Sequence, residues 1–217
     1  MVARITDKIE LTRQSVKHLL LVVNVLRIPA VLKVCLCYLI WYKSSTQRPF
    51  LQGVKLLHLQ LFTDVSVNTQ LKVGYGAYLV VAEPDVSLEL LKDLVKTKRF
   101  THTSSTKLEL QTLLWALQDI MTTTDLRDIK LTVFTDSQNI VGLPHRQKRL
   151  EQNNYSTSKN KQLNNAELYQ AFYQLSANIK LELVKVVGHQ RTSQKDETHK
   201  RFTLVDKAAR QALRLEF

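Results

Sequence analysis

The pattern of hydrophobic and polar positions changes character near residue 54. From there on it is regular. VKLLHLQLFTDVSV (54–67) alternates, with Leu57, Leu59 and Leu61 on one face and Phe62 and Asp64 on the other. That two-residue period predicts a strand. VGYGAYLVVAE (73–83) predicts a second strand, close enough to the first for a hairpin, and LVKTKRFTH (94–102) a third. STKLELQTLLWALQDIM (105–121) places Leu110, Leu113, Leu114, Leu117 and Met121 at helical spacing. IKLTVFTD (129–136) is an apolar run ending in a carboxylate, as in a buried central strand. SQNIVGL (137–143) predicts a short helix, and residues 144–163 are polar, basic and without period. NNAELYQAFYQLSAN (164–178) predicts a helix opened by asparagines suited to capping, IKLELVKVVGH (179–189) a fifth strand and TLVDKAARQALRLEF (203–217) a closing helix. Three strands followed by alternating helices and strands imply an α/β fold, a five-stranded mixed sheet with helices packed on it.

The first fifty residues differ. LLLVVNVLRIPAVLKVCLCYLIWY (19–42) is long enough to span a bilayer but contains Asn24, Arg27, Pro29 and Lys33. Arg27 and Lys33 nearly cancel the insertion free energy of the apolar residues. No small-residue cleavage site follows, so a secretory signal is not indicated. Three expectations stand for residues 1–50: a disordered extension, a membrane-associated segment through 19–42 (not favoured), or a mis-assigned start. On the last reading translation begins near Leu51–Val54 at a non-Met codon, because the methionines are Met1 and Met121. The domain expected to carry function is 54–217.

Composition narrows the chemistry. With 44% hydrophobic and 23% charged residues, the chain is ordinary globular protein. Cys35 and Cys37 are too close for a normal disulfide and too few for a zinc site. Nothing argues for an oxidising compartment, and a cytoplasmic monomer is expected. Only 5 glycines are present, which disfavours phosphate-cradling loops. The formal net charge of +12 favours a polyanionic partner. Half of that excess lies in residues 1–50, which hold eight basic and two acidic residues.

Four carboxylates occupy positions that propensity would not choose. Asp64 lies within the first strand, Glu109 in the opening of the long helix, Asp136 at the end of the fourth strand and Asp206 in the closing helix. Three have ordinary explanations. Thr106 and Glu109 match a capping box, Asp136 is a suitable N-cap for the helix at 137, and Asp206 could complement a helix N-terminus. Asp64 has none, because strand interiors are depleted in Asp and a buried carboxylate is costly unless paired or metal-bound. Asp64 and Asp136 both follow Phe-Thr, on strands that could be neighbours. Converging carboxylates repel, and a hard divalent ion such as Mg²⁺, or Mn²⁺ as an alternative, relieves that repulsion. Two such ions about 3.5–4 Å apart can hold the attacking water and the leaving oxygen of a phosphodiester.

LQLFTDVSV, the YGAYLV strand, the TSSTKLEL helix start, the TVFTDSQ strand end, VKVVGH and LVDKAAR resemble, in order, the type 1 ribonuclease H family over roughly residues 55–215. The resemblance implies a ribonuclease H-like sheet, two Mg²⁺ ions and endonucleolytic cleavage of the RNA strand of an RNA–DNA hybrid, leaving 3′-hydroxyl and 5′-phosphate ends. It implies Asp64, Glu109, Asp136 and Asp206 as the catalytic, metal-binding acids and His189 as a proton-transferring or product-releasing loop histidine. Ser104, Ser105 and Thr106 take the place of the small polar residues that face the hybrid, where 2′-hydroxyls distinguish RNA from DNA. Ser137 and Gln138 match the polar pair after Asp136. Arg146, Lys148 and Arg149 lie where family members carry a basic substrate-binding protrusion. No obligate protein partner is evident.

Two departures stand out. Val65 replaces the glycine usual after the first Asp, and NTQLKVG (68–74) replaces a glycine-rich turn. The competing readings are another nuclease of the same fold, a catalytically silent nucleic-acid-binding module and, resting only on residues 19–42, a membrane-tethered adaptor.

Overall fold

The computed structural model describes residues 57–82, 85–124, 129–187 and 196–217. The expectations for residues 1–50, and for His189, lie outside the described residues. Among the described residues no helix is long and apolar enough to cross a membrane.

The elements are β1 (Leu57–Asn68), β2 (Val73–Val81), α1 (Leu88–Asp93), β3 (Lys96–Thr101), α2 (Ser105–Thr123), β4 (Ile129–Thr135), α3 (Gln138–Val141), α4 (Leu143–Gln152), α5 (Ala166–Ser176), β5 (Lys180–Lys185) and α6 (Glu197–Glu216). The five strands form one mixed sheet in the order β3-β2-β1-β4-β5. β1 runs antiparallel to β2 and parallel to β4; β2–β3 is antiparallel and β4–β5 parallel.

Strand parity divides the core into two layers. Leu59, Leu61, Leu131 and Val133 face α2 and α5, where they pack with Leu113, Leu117, Ile120 and Phe172. Phe62, Leu79 and Val81 face the other way and meet Leu91 of α1 and Phe202, Val205 and Ala209 of α6. α2 lies very close to β2. A Cβ on Gly76 would sit 2.0 Å from Thr112 Oγ1, and one on Gly74 would sit 2.5 Å from Leu108 Cδ2. Leu108 and Thr112 are one helical turn apart, and Glu109 lies between them. The two glycines therefore set how near the Glu109 turn comes to the sheet.

Two helices escape the periodicity argument. α1 is six residues long, too short to show a 3.6-residue period, and is capped by Ser87, whose side chain accepts the Leu90 N–H. α4, within the stretch read as irregular, fully buries only Leu143; proline in its first turn favours the start, Arg146 and Leu150 are half-buried, and the remaining residues are polar and mostly exposed. The closing helix also begins earlier than its apolar spacing, at Glu197, capped by Asp196.

The β1–β2 turn works without the glycine-rich sequence. Asn68 Oδ1 accepts the N–H groups of Gln70 and Leu71, and Lys72 takes the left-handed conformation, φ 54°. Val65 remains in the strand, paired opposite Gly76. It is absent from the described residues with positive φ, so its β-branched side chain meets no backbone conflict there.

Candidate active site

The Phe-Thr-Asp sequence occurs twice, and the sheet makes the two copies neighbours. The parallel β1–β4 register ends with Phe62 opposite Phe134. Asp64 and Asp136 each follow that pair by two residues, so both return to the same face of the sheet. The phenyl rings stack at 4.8 Å and 13° and form an apolar floor beneath the acids. The intervening Thr63 and Thr135 are buried.

That is also the α6 face. Val205 and Ala209 bury the helix against the sheet, and Arg201 Nη1 donates to Gln60 Oε1 at 2.8 Å, tying α6 to β1. Asp206 lies mid-helix, within hydrogen-bonding reach of Asp64. It is too far from the helix N-terminus to serve the dipole, so that ordinary explanation fails. Its Oδ1 instead lies 2.6 Å from Arg210 Nε, one turn further on.

Glu109 arrives from α2, on the opposite layer. The capping box does not form. The N-cap of α2 is Ser104, whose Oγ accepts the Lys107 N–H at 3.4 Å. Glu109 Oε2 instead accepts from Ser137 Oγ at 2.5 Å. Nor does Asp136 cap the following helix: Ser137 does so, accepting the Ile140 N–H at 3.2 Å. Asp136 is left exposed.

The electrostatics reflect this crowding. Burial, with the facing Asp136 and Asp206 carboxylates, pushes the Asp64 carboxyl from an ordinary 3.8 up to about 8, against the Val65 N–H, which favours the charged form. Burial also raises Glu109; the Ser137 hydroxyl opposes this and the Asp136 charge adds to it. An all-oxygen donor set in which burial and neighbouring carboxylates disfavour the charged forms of Asp64 and Glu109 fits a hard divalent cation, which would supply the missing positive charge. Among the described residues, however, no three His, Cys, Asp or Glu side chains form a ready-made metal cage. Glu109 is engaged by Ser137 and Asp206 by Arg210, so these carboxylates would have to share or exchange partners to take up an ion.

The expected substrate-facing residues are distributed around this cluster. Ser104, Ser105 and Thr106 are exposed at the start of α2. They follow His102, whose left-handed backbone (φ 52°) and whose neighbour's Thr103 N–H→Lys72 O bond of 3.1 Å join this loop to the β1–β2 turn. Gln138 is exposed and its Oε1 accepts from Lys185 Nζ at 2.8 Å. Lys148 and Arg149 are exposed on α4. Arg146 is turned inward, with its guanidinium bonded to the Asn139 side chain at 2.8 Å and to Gly142 O at 3.2 Å. Ser137 is buried. Sequence reasoning did not single out Lys185 or Arg210. Arg210 was signalled by its spacing of four from Asp206 on a helix. Lys185 needed the β4–β5 register, which sets it opposite Thr135.

A mixed 3-2-1-4-5 sheet with acids gathered at its centre defines a ribonuclease H-like protein. The chain belongs to the RNase H family, whose profile matches residues 58–214. No curated protein sequence matches it significantly. Among solved structures 253 chains match. One is described as the foamy viral protease-reverse transcriptase in complex with dsDNA; it is 8% identical, with a TM-score of 0.50, covering 73% of this chain and 99% of that one. At that identity the likeness concerns the fold.

Proposed function

We propose that this protein is a metal-dependent endoribonuclease that cleaves the RNA strand of RNA–DNA hybrids. The observation that carries the reading is the convergence of Asp64 on β1, Asp136 just past the end of β4, Asp206 on α6 and Glu109 on α2, where burial together with the Asp136 and Asp206 carboxylates raises Asp64 to about 8 and burial together with the Asp136 charge raises Glu109. A fold with no use for the cluster would gain stability by losing it.

Asp64, Asp136, Asp206 and Glu109 would hold Mg²⁺, or Mn²⁺ in its place. When bound, the ions would supply Lewis-acid stabilisation of phosphoryl oxygens and lower the pKa of water. The residues of the chain then do the remaining work. The Phe62–Phe134 floor limits water on one side of the acids and strengthens their electrostatics. Ser104, Ser105 and Thr106 offer hydroxyls to the 2′-hydroxyls and phosphates of the RNA strand. Gln138 offers its carboxamide N–H groups, because its oxygen already accepts from Lys185. Lys148 and Arg149, with Arg146 bracing the base of their helix, contribute non-specific attraction to the phosphate backbone. His189 would transfer a proton during product departure. The catalytic unit is residues 54–217.

The experiment is to incubate labelled RNA–DNA hybrid, double-stranded RNA and duplex DNA separately with protein and Mg²⁺, with and without chelator. Cutting confined to the RNA strand of the hybrid and abolished by chelation is expected. Equal cutting of duplex DNA would move the protein to another nuclease class of this fold. No cutting at all would leave a nucleic-acid-binding module.

A further inference from the structure

We propose that Ser137 is a positioning residue that fixes the Glu109 carboxylate and thereby tunes the affinity of the acid cluster for a divalent cation; this rests on the metal-dependent reading above. Ser137 stands beside Asp136 in the sequence, which suggests a substrate contact, but it is 5% exposed. Three hydrogen bonds lock it. Its N–H donates to Thr135 Oγ1 at 3.2 Å, its Oγ accepts the Ile140 N–H at 3.2 Å, and its single hydroxyl proton goes to Glu109 Oε2 at 2.5 Å. Turning that hydroxyl toward a ligand would strand a buried N–H and remove the donor from a half-buried carboxylate.

The geometry explains why such a clamp is needed. Asp64 is held by a strand and Asp206 by a helix docked on the same face. Glu109 comes from the other layer, on a side chain with three rotatable bonds. Among the described residues Ser137 is the one group that donates to its carboxylate. Left without it, Glu109 would turn toward solvent, away from the Asp136 charge. Ser137 thus couples the top of β4, where Asp136 sits, to α2, and it leaves Glu109 Oε1 for a cation. Groups that orient metal ligands in this way typically contribute about 10–100-fold in metal affinity or activity.

The test is calorimetric titration of the full chain with Mn²⁺ alone, in the absence of nucleic acid, for the wild type and for S137G, S137T, E109Q and the S137G/E109Q pair. Glycine is the informative replacement because it removes the hydroxyl but is nearly as good an N-cap as serine. S137G is expected to weaken Mn²⁺ binding about tenfold, with S137T restoring most of that loss because it keeps the hydroxyl. In the E109Q background S137G is expected to add nothing. Under hybrid cleavage, S137G is expected to lower kcat with little change in the KM for hybrid. Wild-type binding in S137G alongside weak binding in E109Q would overturn the positioning role while keeping the metal reading. An S137G loss that persists in E109Q would overturn it too, since the effect would not act through Glu109. A rise in KM for hybrid at constant kcat and Mn²⁺ affinity would return Ser137 to substrate contact. Absence of Mn²⁺ binding by the wild type, unchanged in E109Q, would overturn the metal reading itself.

Discussion

The rings of Phe62 and Phe134 stack at 4.8 Å directly beneath the acids that follow them two residues later. The apolar pair holds β1 and β4 in register and also dries the ground on which Asp64 stands. The same packing that stabilises the sheet therefore makes the cluster above it costly.

That cost predicts a pH dependence in the metal-free protein. Asp64 has a folded pKa of about 8 against an ordinary 3.8. Below about pH 4 both states are protonated; between the two values the unfolded chain ionises while the native carboxyl keeps its proton. Stability should therefore fall as pH rises from about 4 to about 8. Asp64→Asn should remove much of that slope and stabilise the metal-free fold at pH 7 by about 1–3 kcal/mol. Thermal unfolding in chelator across this range checks it, and an unchanged slope in the variant would refute it.

The opposite sign is expected at the far side of α2. Burial alone would raise the Asp119 carboxyl, but Lys96 at 2.5 Å and the Tyr78 hydroxyl outweigh it and hold it below the usual range. Its contribution is present above the unfolded pKa and lost as pH falls through the folded value. Lys96→Met should cost about 1 kcal/mol at neutral pH, discounted for partial exposure, and should flatten the acid limb of stability below about pH 4. Denaturant unfolding at pH 3 and pH 7 measures both.

Gly76→Ala should destabilise the fold by about 1–3 kcal/mol, because the added methyl would meet Thr112 Oγ1 at 2.0 Å. Among the described residues the buried hydroxyl of Thr112 has no hydrogen-bond partner. Adding Thr112→Ala should therefore recover part of the loss. Hybrid cleavage should fall more than stability does, since α2 carries Glu109. A double variant no more stable than the single one would show that the strain is relieved elsewhere.

Asp136→Asn should reduce turnover by about 10²-fold or more while leaving the melting temperature nearly unchanged. Asp136 is exposed, and Ser137 rather than Asp136 caps α3. Hybrid binding in a filter or fluorescence assay should be retained. Failure of this variant to fold would mean that the carboxylate has a structural role.

A chain shortened to begin near Leu51 should fold and cleave hybrid at a rate like that of the full chain. Its affinity should drop only to the extent that the basic residues of 1–50 reach phosphates, and the difference should shrink as salt rises. Loss of activity at every salt concentration would place residues 1–50 inside the catalytic unit.

The sequence by itself determined the strands and long helices of the sheet, because alternation and 3.6-residue spacing are local properties of the chain. It also marked Asp64, which no local rule explains, and the ordered motifs pointed to the family. Short α1 and polar α4 were invisible to periodicity, since neither buries a stripe long enough to repeat. Local reasoning also offered capping roles for Glu109 and Asp136 that the fold gives to Ser104 and Ser137 instead. Only the tertiary structure decided which acids meet. The β1–β4 register sets Asp64 beside Asp136, and α6 brings Asp206 across the sheet. Gly74 and Gly76 admit α2 closely enough for Glu109 to reach Ser137. Those distances span residues far apart in the chain, so no window of sequence contains them.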